Sequence, residues 1–517
     1  MVVGAAASSM VTASPSRKPS LMPSSMPVGR RRLLLGAAAA GAGLALGAAA
    51  EPAVAASPAH PGMLHTETDF IRVRARLAAG DPVVTAGWQR LTGNGRSQSS
   101  WKPRPLATVV RGGTGQNYAQ FYPDVHAAYQ NALRWRISGE PAHAVTAATI
   151  LNAWSSTLTQ VNGNADRFLA AGIYGYQLAN AAELMRGYDG FDLAGLRRLL
   201  KEVFYPLNDS FLSRHNDACI TNYWANWDLC TLASVMAIGI LDDVRTVVDR
   251  AVTYLRTGAG NGAIANAIPF LHGDLGQWQQ SGRDQGHTVL GVGLLGAICE
   301  MAWNQGIDLY GHDDNRFLKG AEYVARYNLG QDVPFTTYRW GDGQNCAPRT
   351  QTVVSAASRG QVRPVWELVY HHYVNRRGLA APNVTAMAAS VRAEGGGGDY
   401  GPASGGYDQL GFGTLMFTRD RATTASASAT ATAARATPAP TRTTPAPAAS
   451  GHRPARPSAP AGPDASAGGP SVAPSRVLDL AGQQSGAGAR TGLLAGLAGA
   501  SAVGGALLLR LRRRRDS

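Results

Sequence analysis

The sequence predicts an all-α dominated domain, an incomplete α/α toroid of consecutive helical hairpins with few short strands. Three observations predict it. From about residue 121 to 390, apolar side chains recur at i, i+3, i+4 and i+7, the period of one buried helix face. Gly, Asn and Asp interrupt that period about every 15–20 residues, where caps and stops belong. Strand-like alternation lies mainly after residue 331 and around 410–418, and there is no GxGxxG after a strand, no GxxxxGK[ST] and no GxSxG. More than 250 residues of serial amphipathic helix imply a solenoid or a closed barrel, and the lack of a fixed-period repeat favours the barrel.

In order, the periodicity predicts helices over 124–138, 142–158, 167–188, 193–204, 225–241, 286–306 and 315–328. Asp124 opens the first and Gly139 follows it; Asp192 precedes the fourth, Asp242 follows the fifth, and Asn315 opens the last. Ala and Gly within the apolar faces suit close helix–helix approach.

The flanks are of another kind. The chain has 517 residues, with 48 Lys+Arg against 34 Asp+Glu, a net charge of +14. Residues 1–56 carry +4 and residues 423–517 carry +8, which leaves +2 on residues 57–422. A nucleic-acid binder concentrates its excess on the domain that tracks phosphates, so nucleic acid is not an expected partner. Arg30-Arg31-Arg32, an uncharged run from Leu33 to Ala50, and Ala53-Val54-Ala55 have the order of an export signal, and resemble a twin-arginine signal. Residues 423–490 are rich in Ala, Thr, Pro and Ser, the composition of a disordered stalk. Gly492–Leu509 is uncharged and is followed by Arg510 and Arg512–Arg515, a stop-transfer pattern with its basic end inside. The expected organisation is therefore 1–56 signal, 57–422 folded α/α barrel domain, 423–490 stalk and 491–517 transmembrane segment, giving an exported, membrane-anchored, surface-facing monomer. Cys219, Cys230, Cys299 and Cys346 have neither CxxC nor zinc spacing, so no metal and no disulfide scaffold is expected.

Two stretches differ chemically from the rest. One is Asn222-Tyr223-Trp224-Ala225-Asn226-Trp227-Asp228, placed where an apolar helix begins. The other runs from Gln277 through Trp278, Gln280, Arg283 and Asp284 to His287, also at a helix start, with Asp284 suited to the first turn. Arg283 and His287, four apart, share a face if the helix runs through both. Further on lie Tyr338, Arg339 and Trp340. Such side chains stack on sugar rings and hydrogen-bond hydroxyls and carboxylates. Trp227, Trp278, Gln280, Arg339 and Trp340 are the candidate substrate-binding residues.

With NYWANWDLC and QSGRDQGHTVLG, the run from about 110 to 420 resembles the alginate-lyase-type superfamily of α/α-toroid polysaccharide lyases. The resemblance implies β-elimination on a uronic-acid polymer, without a cofactor. It implies an Asn-His pair on one helix with an Arg and a Tyr further on. Asn222 matches the Asn, Tyr223 stands where the His would be, Arg283 matches the Arg, and His287 lies where a later helix presents a Tyr-His pair. His and Tyr are thus exchanged between the two helices.

The residue types suit the reaction. Removing the C5 proton of a uronate requires its carboxylate to be neutralised, a task for amide and guanidinium donors, here Asn222, Asn226 and Arg283. His287, whose ordinary pKa lies near neutrality, is the expected base. Tyr223 is the expected acid, with Tyr338 as substitute. Two other classes stay open: a glycoside hydrolase using Asp228 and Asp284 as paired carboxylates, and a non-catalytic carbohydrate-binding protein.

Overall fold

A computed structural model of the protein describes residues 57–401 and 407–422. The expected signal, stalk and transmembrane segment lie outside the described residues.

Two helices, α1 (Glu67–Ala78) and α2 (Pro82–Thr92), come first. Thr66 and Asp69 close a reciprocal capping box on α1, and Asp81 caps α2 with Pro82 at its first position. Strand β1 (Thr108–Val110) precedes α3 (Phe121–Ser138) and α4 (Pro141–Thr157). Gly139 ends α3 at φ 77°, a left-handed conformation that glycine adopts without steric cost. Strand β2 (Gln160–Asn162) pairs in parallel with β1 and leads into α5 (Asp166–Met185). Then come α6 (Leu193–Leu199) and α7 (Tyr205–Arg214), joined by a π-helical turn over Leu200–Phe204. The helix expected over 193–204 therefore changes its winding at residue 200 and continues to Arg214.

The chain continues through α8 (Ala225–Leu241), α9 (Arg245–Thr257) and the short α10 (Ile264–Ala267). The hairpin of β3 (Phe270–His272) and β4 (Leu275–Gln277) precedes α11 (Gln285–Asn304) and α12 (His312–Asn328). A second hairpin, β5 (Tyr338–Asp342) and β6 (Ala347–Gln351), pairs Tyr338 with Gln351 and Trp340 with Arg349. The last helices are α13 (Trp366–Tyr370), extended by a π-helical turn to Arg376, α14 (Pro382–Val391) and α15 (Gly413–Phe417). The alternation expected to make a strand around 410–418 makes a short helix instead. Phe412 is left-handed at φ 60°, which stops extension, and Gly413–Phe417 is buried on all sides, so no polar face marks its period.

Helix α3 packs on α5, α5 on α8, α8 on α11 and α11 on α13; the contacts run on through α15 to α1 and back to α3. The order is that of an α/α toroid whose ring is completed by the two chain ends of the domain. Burial separates inner from outer helices. Phe168–Met185 of α5 are all buried, and so is all of α8 except Trp227. Outer α9 buries only Val248, Ala251, Val252 and Leu255, a single stripe. By length and composition α11 could cross a membrane, but here 83% of its apolar window is buried inside the domain.

Candidate active site

The N-termini of α8 and α11 form the centre of the site. Trp224 precedes α8 in extended conformation and supplies no side-chain cap, so the first N–H groups need partners from elsewhere. Gln279 Oε1 accepts from Ala225 N at 3.0 Å, and Gln280 Oε1 accepts from Asn226 N at 3.3 Å. Gln280 Nε2 then donates to Asn226 Oδ1 at 2.7 Å, which locks the 277–283 segment onto the first turn of α8.

The β5–β6 hairpin is fastened over the same end. Cys219 and Cys346 form a disulfide. Gly341 N donates to Thr221 Oγ1 at 2.9 Å, and Gly343 N donates to Asn222 Oδ1 at 2.6 Å. With its oxygen held by the hairpin, the Asn222 amide has its donor half left for a ligand. The hairpin brings in Tyr338, which stacks on Trp340 at 5.9 Å; Trp340 meets Trp224 at 5.0 Å, and the Arg283 guanidinium lies 5.5 Å from the Trp224 ring centroid.

Asp284 is the N-cap of α11 and accepts from His287 N at 2.8 Å. The same carboxylate lies 2.8 Å from His287 Nδ1 and 3.5 Å from Arg283 Nε. Burial opposes its charge, but His287 and Arg283 outweigh burial and hold its pKa at about 2. An ionised carboxylate only accepts, so the His287 proton sits on Nδ1 and Nε2 keeps its lone pair. Burial and the Arg283 charge lower the His287 pKa, and its side chain is 32% exposed. The result is a neutral imidazole of fixed tautomer beside a guanidinium.

The structure thus brings Asn222, Asn226, Arg283, His287, Tyr338 and Trp340 to one end of the fold, with Arg339 exposed on β5. Tyr223 lies on the other side of the α8 start. It packs with Phe168, Phe211 and Trp227, and its hydroxyl accepts from Asn216 Nδ2 at 2.9 Å. Trp227, expected to bind sugar, stacks on Phe211 in that cluster. Two substrate-binding expectations need correction. Trp278 is fully buried against Gly291 and Gly320, filling the gap between α11 and α12, so no polymer can stack on it. Gln280 is fully buried and serves Asn226.

Burial pushes the pKa of Tyr223 and of Tyr338 upward, which keeps both phenols protonated. Tyr338 O accepts from Gln279 Nε2 at 3.0 Å, leaving its own proton to give. Asp228 is fully buried, accepts from Gly262 N and Tyr254 OH, and lies 3.2 Å from His215. It fastens the 260–262 loop and cannot meet water or a sugar. Asp284, with a pKa near 2, has no proton to give as an acid. The carboxylate pair of a hydrolase is therefore absent at these two positions. The sequence reading missed Asp284 as the group that orients His287, though the D-x-x-H spacing at a helix start was its signal. It also missed Gln279 and Trp224. Among the described residues, no group of three or more His, Cys, Asp or Glu side chains could hold a metal.

Residues 96–334 match the family model described as alginate lyase. No curated protein matches the chain. Among solved structures, alginate lyase A1-III from Sphingomonas species A1 is 15% identical, with TM-score 0.43, over 70% of this chain and 99% of that one. An alginate lyase from Bacteroides ovatus is 12% identical, with TM-score 0.48, over 70% of this chain and 100% of that one. A variant of A1-III complexed with a tetrasaccharide is 15% identical, with TM-score 0.45, over 70% and 98%. The matched segment, from Arg96 to Pro334, holds α3 to α12 together with Asn222, Arg283, Asp284 and His287, and it is this part of the chain that is similar to the alginate lyase family.

Proposed function

We propose that the chain is a polysaccharide lyase that cleaves a uronic-acid polymer, alginate or a glucuronan-like chain, by β-elimination. The observation that carries the reading is the Asp284–His287 pair beside Arg283, inside the family-matched segment. Arg283 and the donor half of Asn222 neutralise the uronate carboxylate, and charge developing on it as C5 loses its proton is stabilised there. His287 Nε2 takes the C5 proton. The C5–H electron pair forms the C4–C5 double bond, the C4–O4 bond breaks, and the leaving oxygen takes its proton from a phenol. Tyr338 is the better acid of the two tyrosines, because its ring belongs to the Trp340–Trp224–Arg283 chain of contacts and its hydroxyl proton is uncommitted. Asn226 positions the first turn of α8 and does not bind substrate.

Export fits a disulfide between Cys219 and Cys346, since such bonds persist in oxidising compartments. Surface retention by the C-terminal segment is part of the same proposal and rests on sequence alone.

A panel of polyuronates incubated with the full chain tests the reaction. The expected product carries an unsaturated uronyl end, seen as rising short-ultraviolet absorbance without uptake of water. New reducing ends with no such absorbance would mean hydrolysis; binding with neither would mean a lectin-like protein.

A further inference from the structure

Arg283 deals with one carboxylate, that of the unit being cleaved, whereas every neighbouring unit of a polyuronate carries another. Arg111 offers a second cation. It follows β1, is half-buried, and donates from Nη1 to Tyr174 OH at 3.2 Å. Its guanidinium lies 5.0 Å from the Tyr118 ring centroid and 5.6 Å from that of Tyr174. Tyr118 and Tyr122 are partly exposed, and Tyr122 stacks at 4.0 Å on Tyr407, which is also partly exposed. Two acids act on Arg111 through their charge, Asp408 and Asp166, the latter at the start of α5. Asp408 is held 2.9 Å from Arg363 Nη1, and Asp399 accepts from Asn94 at 2.9 Å and lies 3.5 Å from Arg96.

The same scaffold ties this shelf to the helix of His287. Tyr174 belongs to α5, whose Tyr176 and Gln177 donate to the carbonyls of Asp408 and Tyr407 at 2.8 Å each. Arg363 bonds both Asp408 and Gln409, and a Cβ on Gly293 of α11 would sit 3.1 Å from Gln409 Cγ. A guanidinium fork bordered by partly exposed aromatic faces suits a sugar carrying a carboxylate, the ring stacking while the carboxylate pairs.

We propose that Arg111, held in place by the buried Tyr174 and bordered by the partly exposed Tyr118 ring, forms a second carboxylate subsite that binds a uronate unit beyond the one cleaved. This rests on the lyase reading for its substrate class, and it makes Arg111 a determinant of preference for longer, acidic chains. A purely structural Arg111 would instead staple β1 to α5.

The test uses the full chain and oligouronates of two to six units from whichever polymer the wild type cleaves. Arg111→Gln should raise KM about 10-fold for the longest substrates, the equivalent of about 1.4 kcal/mol, and leave the shortest unchanged, with kcat within about twofold. Arg111→Lys should recover part of the loss, because the charge returns without the planar fork. Tyr118→Leu, at a half-exposed position, should reproduce the length-dependent part with an unchanged thermal midpoint. Equal losses at every length, tracking a lowered midpoint, would make Arg111 a staple and overturn the proposal. Calorimetry of a uronate tetramer on His287→Ala protein, with and without Arg111→Gln, separates this from the lyase reading. If the wild type yields no unsaturated product yet Arg111→Gln still weakens binding, the reaction is wrong and the subsite stands. Unchanged tetramer affinity would overturn the subsite whatever the reaction.

Discussion

Asp284 does two things with one carboxylate: it caps α11 through the His287 N–H and fixes the tautomer of the His287 ring. Asp284→Asn separates them. Asn is as good an N-cap as Asp, so the fold should persist, destabilised by about 1 kcal/mol or less. The amide N–H2, however, faces Nδ1 as a donor, which favours the tautomer with the proton on Nε2, and that ring cannot act as base. Turnover should fall by roughly 10²–10⁴, with KM nearly constant. In the wild type, burial and Arg283 lower the His287 pKa, so the neutral, active imidazole survives to pH values below its ordinary 6.5. Burial raises Tyr338, so the acid keeps its proton past the ordinary 10. The kcat/KM profile should be flat across neutrality, falling on the acid side only below about 6.5. A folded Asp284→Asn protein with normal turnover would remove His287 from the base role.

Among the elements, the α5–α8 contact depends on glycine. A Cβ on Gly172 would lie 2.5 Å from Cys230 Sγ and 2.9 Å from the Cys230 carbonyl carbon and the Thr231 N. Backbone cannot yield as a side chain can, so Gly172→Ala should destabilise by about 1–3 kcal/mol despite the better helix propensity of Ala. Thermal melts would measure it, and an unchanged or higher midpoint would refute the packing argument. Helices of this kind were legible because their periodicity is carried by many residues: α3, α4, α8, α11 and α12 start or end within about three residues of the positions the sequence predicts. What was not legible depends on distant partners. Trp278 and Gln280 look like sugar-binding groups in a polar stretch, yet Gly291 and Gly320 open a core slot for the indole, and the Asn226 amide consumes the glutamine. Tyr223 adjoins Asn222 in sequence, but consecutive residues at a helix start face different neighbours, and its side is lined by Phe168 and Phe211. The Cys219–Cys346 bond spans 127 residues and has no local signature.

The whole domain places chemistry at one end of the inner helices and lashes the other. The N-termini of α8 and α11 carry the site, while the segment before α1 crosses their C-terminal region. Leu64 N donates to Asn180 Oδ1 at 3.1 Å, Asn304 Nδ2 to the Met63 carbonyl at 2.6 Å, and Gln305 Nε2 to the Gly62 carbonyl at 2.6 Å. His60 is the charged knot in this lashing, 2.6 Å from Glu183 at the end of α5 and 2.6 Å from Asp243 just after α8. Burial works against a charged His60, but Glu183 and Asp243 outweigh it and the net shift is upward. A group whose pKa is higher folded than unfolded binds its proton more tightly in the fold. Its stabilisation is therefore complete below the unfolded value, near 6.5, and is lost as pH rises through the folded value. The thermal midpoint should fall by about 2 °C as pH rises from about 6 to 8.5, a modest shift because the pair is partly exposed to solvent. His60→Gln should lower the midpoint at pH 6 and flatten that slope. Turnover at 25 °C should stay unchanged, since the lashing lies at the far end of α8 and α11 from His287. A His60→Gln protein that keeps the full pH slope would assign the slope to another group, and one that loses turnover while still folded would show that the two ends of the ring are coupled.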